Sequence, residues 1–179
     1  MLGNLRAEPV TARPDLLAPA VAAAIAAWPG TISPAEFAVA EIDPQLADTA
    51  AFCARYDVAP GRSANCVILA ARREARSWFA ACVVLATTRA DVNTLAKRRL
   101  GASKISFAAM DAATAGSAME FGGITPIGLP ADWPILIDEA VVAAGRVVIG
   151  SGLRRSKIEL PGAALAELPN AVVLAGLGR

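Results

Sequence analysis

"NCVILAARREARSWFAACVVLA", residues 65–86, decides how this chain folds. Two apolar runs, "NCVILAA" (65–71) and "WFAACVVLA" (78–86), flank the basic hexapeptide "RREARS" (72–77). Short apolar runs bounded by turn-forming polar residues predict buried strands. The pair reads as two strands joined by a hairpin with a basic tip. The second run is also shorter than the roughly 20 residues a membrane-spanning helix needs.

The segments around the hairpin set the class. Upstream, residues 1–14 form an arm with Pro9 and Pro14, and 15–28 read as a helix ended by Pro29-Gly30. "EFAVAEI" (36–42) alternates like a strand, and "PQLADTAAFCARYDV" (44–58) has apolar residues at helical spacing. Downstream, "RADVNTLAKRRLG" (89–101) reads as a helix capped by Asp91 and closed by Gly101. "KISF" (104–107) is a short strand and 111–119 a helix. "PILID" (134–138), "RVVIG" (146–150) and "KIEL" (157–160) are strands, "GAALAEL" (162–168) is a helix and "AVVLA" (171–175) a last strand. Regular βαβ alternation is missing. The expectation is an α/β chain of α+β type, one domain over 15–179, with a mixed, partly barrel-like sheet surrounded by helices.

At 179 residues the chain can bury a full core. It is 55% hydrophobic, with 18% charged residues and a mean hydropathy of +0.48. Net charge is +1, so a nucleic-acid partner must meet a local patch. Cys53, Cys66 and Cys82 match no zinc template and read as free thiols. There is no histidine, which excludes Ser-His-Asp and Cys-His mechanisms and histidine metal sites. Glu8, Asp15 and two prolines precede the apolar stretch 16–28, unlike the basic start of a signal peptide. A cytoplasmic protein that does not enter the membrane is expected.

Four constellations could carry chemistry. In "EFGGITPIGLP" (120–130), glycines are interleaved with apolar residues. Such a loop can turn backbone N–H groups toward a carbonyl or a developing oxyanion, or it can be a tight corner. "IGSGLRRSK" (149–157) is either a small floor with phosphate-binding charges or a hairpin with a basic tip. Basic clusters stand at Arg72, Arg73 and Arg76, at Lys97, Arg98 and Arg99, and at Arg154, Arg155 and Lys157. Asp138 ends an apolar strand and either binds a substrate hydroxyl or caps the next turn. Cys66 and Cys82 lie within apolar runs and read as small core residues.

The order of these pieces is informative. "PGRSANCVILAA", "DVNTLAKRRLGASKISF", "GGITPIG", "WPILIDEAV" and "RVVIGSGLRRSKIEL" follow one another from residue 60 to residue 160, within a resemblance that covers about residues 35–168. Together they resemble the YbaK family of aminoacyl-tRNA deacylases, also found as the editing insertion of bacterial prolyl-tRNA synthetases. The resemblance implies hydrolysis, in trans, of the ester joining a wrong amino acid to the 3′ end of tRNA. It implies no metal and no cofactor. It places Asn65, Gly122, Gly123, Thr125 and Pro126 at the reacting centre. Asp138, Gly150, Ser151 and Gly152 would line the substrate, and Lys97, Arg98, Arg154 and Arg155 would contact tRNA phosphates. Mischarged tRNA is the implied partner, with a synthetase and a homodimer as further ones. Family members carry a lysine where this chain has Asn65, and often Gly-Tyr where it has Ala118-Met119. The alternative is a catalytically silent module of the same fold that binds the tRNA 3′ end or an aminoacyl-nucleotide. A third reading uses Cys66 as a nucleophile.

Overall fold

The computed structural model describes residues 2–179. The strands are β1 (Glu8–Pro9), β2 (Ala38–Glu41), β3 (Ala64–Arg73), β4 (Arg76–Leu85), β5 (Lys104–Phe107), β6 (Ile135–Asp138), β7 (Arg146–Gly150), β8 (Ser156–Pro161) and β9 (Ala171–Leu174). The helices are α1 (Pro19–Ala26), α2 (Thr49–Tyr56), α3 (Lys97–Leu100), α4 (Met110–Ser117), α5 (Glu139–Ala143) and α6 (Gly162–Leu165). The hairpin that opened the sequence is there: β3 and β4 pair antiparallel from Ala64↔Leu85 to Arg73↔Arg76.

The α+β class is as the sequence predicts, but the strands divide between two sheets. One runs β1-β2-β8-β7 and is antiparallel throughout; the other runs β5-β3-β4-β6-β9, with β6 and β9 parallel to β4. No barrel closes. A parallel bridge between Ser63 and Val148 stitches the sheets together where β3 begins.

The uninterrupted apolar runs now have a cause. Ala80 to Val84 of β4 are all buried. Ala81 and Val83 face the main core with Ile135, Ile137, Val147, Ile149 and α1, while Cys82 and Val84 face an outer core with Leu69, Leu136 and Val92. A strand covered on both faces has no polar side to alternate with. Each fully buried Val, Leu or Ile contributes roughly 1.5–3 kcal/mol. A third cluster gathers Phe52 and Tyr56 of α2 with Leu2, Ile42 and Val148.

Local chemistry sets the element ends. Asp48 caps α2 by accepting from the amides of Ala50 (3.0 Å) and Ala51 (3.4 Å). Asp91 does the same for Thr94 and Leu95 at 3.2 Å each, and Gly101 closes α3 with φ +64°. The helix expected over 89–101 is not regular, however: Val92–Ala96 is a π-type segment that tightens into α only at Lys97. Residues 2–14 pack against the body. Leu2 and Val10 are buried, and β1 pairs with β2. No helix among the described residues is long and apolar enough to cross a membrane.

Candidate active site

Between the two sheets lies a cleft of about 1260 Å³. Its walls are the start of β3, the first turns of α2, the end of β7, the start of β8, and the loop at 121–124. Asn65, Gly122, Gly150 and Arg154, four of the residues predicted from sequence, share this cleft. The Thr49 hydroxyl donates to Asn65 Oδ1 at 2.6 Å and fixes the side chain's orientation. Asn65 Nδ2 makes no hydrogen bond to another described residue. Apolar residues, among them Val67, Ile68 and Ile149, cover much of the rest. Phe107, Met110 and Phe121 line the cleft and stay exposed, at 63%, 52% and 58%.

The glycines allow two loops to meet backbone to backbone. A Cβ on Gly123 would stand 2.5 Å from the Leu153 carbonyl group, and one on Gly150 would stand 2.2 Å from the Gly123 oxygen. In that contact Gly152 N–H donates to Gly123 O (2.8 Å) and Glu120 N–H donates to Gly152 O (2.9 Å). The Gly123 N–H is spent on Glu120 O at 2.9 Å. The exposed Gly122 is therefore the residue of the pair whose backbone faces the cleft.

Lys157 is the residue that the sequence reading left among the basic clusters. It sits on β8 beneath the cleft, 8% exposed. Its Nζ donates to Ala47 O (3.1 Å) and Gly122 O (3.4 Å) and lies 5.6 Å from the centre of the Phe52 ring. No salt bridge pairs it with a carboxylate among the described residues. Burial lowers its pKa to about 8. A signal was present: in "KIEL" a lysine and a glutamate alternate with core residues, so both lie inside a strand and not at its tip.

The remaining predicted residues go elsewhere. Thr125 and Pro126 are buried behind the loop, and Thr125 Oγ1 has no hydrogen-bond partner among the described residues. Ser151 Oγ is engaged with Ser156 Oγ at 2.7 Å and with the carbonyls of Leu153 and Ser156. Gly152 packs on Ala18 and Val21. Buried Asp138 accepts from Gly178 N–H at 3.1 Å and ties down the C-terminal segment. Arg154 Nη1 donates to Phe121 O (3.1 Å) at the rim, whereas Arg155 donates to Asp15 O (2.6 Å) and lies 3.5 Å from Glu41. Lys97, together with Arg72 and Lys104, lines a second groove of about 850 Å³ on the far side of β5; Arg98 is exposed on α3. Burial raises the pKa of the Cys66 thiol far above its ordinary value and pushes Cys82 up to about 12, so both stay protonated.

The profile of the aminoacyl-tRNA editing domain matches residues 43–168, and the chain belongs to that family. Every residue lining the cleft falls inside this span. Solved structures share the fold. A chain from the computational design of scaffolds for presenting linear epitopes aligns with TM-score 0.73 and 18% identity, over 88% of this chain and 95% of its own. A candidate trans-editing enzyme for prolyl-tRNA synthetase aligns with TM-score 0.70 and 17% identity, over 89% and 97%. A hypothetical protein aligns with TM-score 0.70 and 19% identity, over 80% and 91%. Among curated proteins no match is found.

Proposed function

We propose that this protein is a YbaK-type, cytoplasmic deacylase that hydrolyses the ester of mischarged tRNA in trans. The observation that carries the reading is the coincidence of the family span with the cleft: residues 43–168 contain its whole lining. The reaction adds the oxygen of water to the ester carbonyl carbon. The ester bond to the ribose oxygen then breaks, that oxygen takes up a proton, and a free amino acid leaves. Asn65, held by Thr49, orients the reacting group. Val67, Ile68 and Ile149 accommodate a small amino-acid side chain. The exposed Phe107 and Phe121 offer stacking surfaces to the terminal adenine.

The second groove supports a tRNA partner. Phe107 and Lys104 sit at opposite ends of β5, three residues apart, or roughly 10 Å at the rise of a strand. A polynucleotide whose last base rests on Phe107 can therefore lay its backbone along Arg72, Lys97 and Lys104.

The test is a deacylation assay against tRNAs mischarged with alanine, cysteine, serine or threonine. Turnover above spontaneous ester loss is expected on at least one. Binding without turnover on the whole panel would replace the enzyme by the catalytically silent module that Asn65 raises.

A further inference from the structure

Lys157 is a buried charge that makes no salt bridge among the described residues. An ammonium has three N–H donors. Two are taken by Ala47 O and Gly122 O, the Phe52 ring covers one side, and the cleft is open on another. The charged and titratable groups that face it are Asp48 at the cap of α2, Cys53 in the middle of that helix and Arg154 from the turn between β7 and β8. A cation kept there without a salt bridge among the described residues is poised for an oxygen that a ligand brings.

We propose that Lys157 donates its free N–H to the carbonyl oxygen of the substrate ester and holds the negative charge that develops there when water adds. The proposal rests on the deacylase reading and names the group that stabilises the transition state. The electron pair displaced onto the carbonyl oxygen returns when the ribose oxygen departs, and Lys157 neither gains nor loses a proton overall. Fixed donors aimed at a developing oxyanion act most strongly where water is excluded, as it is around this side chain. The role needs the ammonium form. Burial lowers its pKa to about 8, so the enzymatic rate should fall at higher pH, after spontaneous hydrolysis is subtracted.

The experiment compares the full-length protein with Lys157→Met on the tRNA that the parent turns over best. The expected result is a kcat lower by about 100-fold with KM changed less than about threefold. An unchanged kcat would overturn the proposal, as would a rise in KM alone, which would put the contact on a phosphate. Lys157→Arg should keep part of the rate and lose the alkaline fall, a change that a merely structural tie between Ala47 and Gly122 would not produce. If Lys157→Met does not fold, Lys157→Gln retains two donors for those carbonyls, and the same loss of kcat is expected. If the parent turns over no tRNA, the deacylase reading fails by itself. Lys157 is then tested by calorimetric binding of 3′-alanylamino-3′-deoxyadenosine, in which an amide replaces the ester. Binding about tenfold weaker in Lys157→Met supports the carbonyl contact. Equal binding, or none by the parent, removes it.

Discussion

The inter-sheet cleft and the outer groove beyond β5 are both concave and both carry cations, yet they hold their positive charge differently. The cleft has one deeply buried cation, Lys157, among apolar residues. The groove spreads Arg72, Lys97 and Lys104 along a more exposed surface. Buried charge interacts strongly and is little screened; exposed charge is attenuated over about 8 Å at physiological salt. The first arrangement suits a single reacting atom and the second a polyanion. The predictions below probe this contrast from either side.

The largest effect is on stability. In the folded protein Lys157 has its pKa lowered from 10.5 to about 8. Below pH 8 both folded and unfolded chains carry the proton, and folding bears the full cost of burying it. Between pH 8 and 10.5 the unfolded chain binds the proton and the folded one does not, so stability rises with pH through that window. Lys157→Met removes the charge and should be more stable at pH 7 by about 3 kcal/mol, less what the two carbonyls lose. The gap should close by pH 10.5. Denaturant melts of both proteins at pH 7 and pH 10.5 decide this. A less stable Lys157→Met at pH 7 would mean that the cation holds the cleft together and is not a cost borne for function.

Next comes the contact between the two loops behind the cleft. Gly123→Ala forces a Cβ to within 2.5 Å of the Leu153 backbone, where no flexible side chain can yield. A loss of about 2 kcal/mol is expected, seen as a fall in Tm of roughly 4–8 °C. A smaller, purely kinetic effect would show that the loop at 120–123 moves independently of the turn at 150–154.

These two residues also mark how far the sequence could be read. The hairpin, the caps at Asp48 and Asp91 and the glycine-rich loop follow from local chemistry, and local chemistry is visible in one dimension. That the strands divide into two sheets depends on pairings such as Ala38↔Glu159 and Ile135↔Ala171, which no local pattern specifies. The candidate site was legible through Asn65, Gly122 and Gly150, because a family resemblance pointed at them. Ser151, Asp138 and the Gly123 N–H looked available in the sequence but are spent on internal hydrogen bonds, and such bonds are known only from the tertiary structure. Lys157 was hidden by its neighbours: beside Arg154 and Arg155 it read as one more surface charge.

At the mouth of the cleft, Phe121→Ala should raise KM for aminoacyl-tRNA about tenfold, since stacking on one aromatic contributes about 1–3 kcal/mol per base. Phe121 is 58% exposed, so the melting temperature should hardly move. Steady-state kinetics beside a thermal melt separate the two. An unchanged KM would confine substrate contacts to the interior of the cleft.

The smallest effect belongs to the outer groove. Lys97→Ala and Lys104→Ala each remove one charge from its lining. Each should weaken tRNA binding a few-fold at low salt and lower the slope of log Kd against log salt by about one. Neither touches Lys157, so kcat at saturating tRNA should stay at the parent value. The same titration on Lys157→Met should leave the salt slope intact while kcat collapses. If the groove variants instead change kcat, or if the salt slope is lost only with Lys157, the division between a buried reacting charge and an exposed positioning charge fails. The tRNA backbone would then have to pass through the cleft itself.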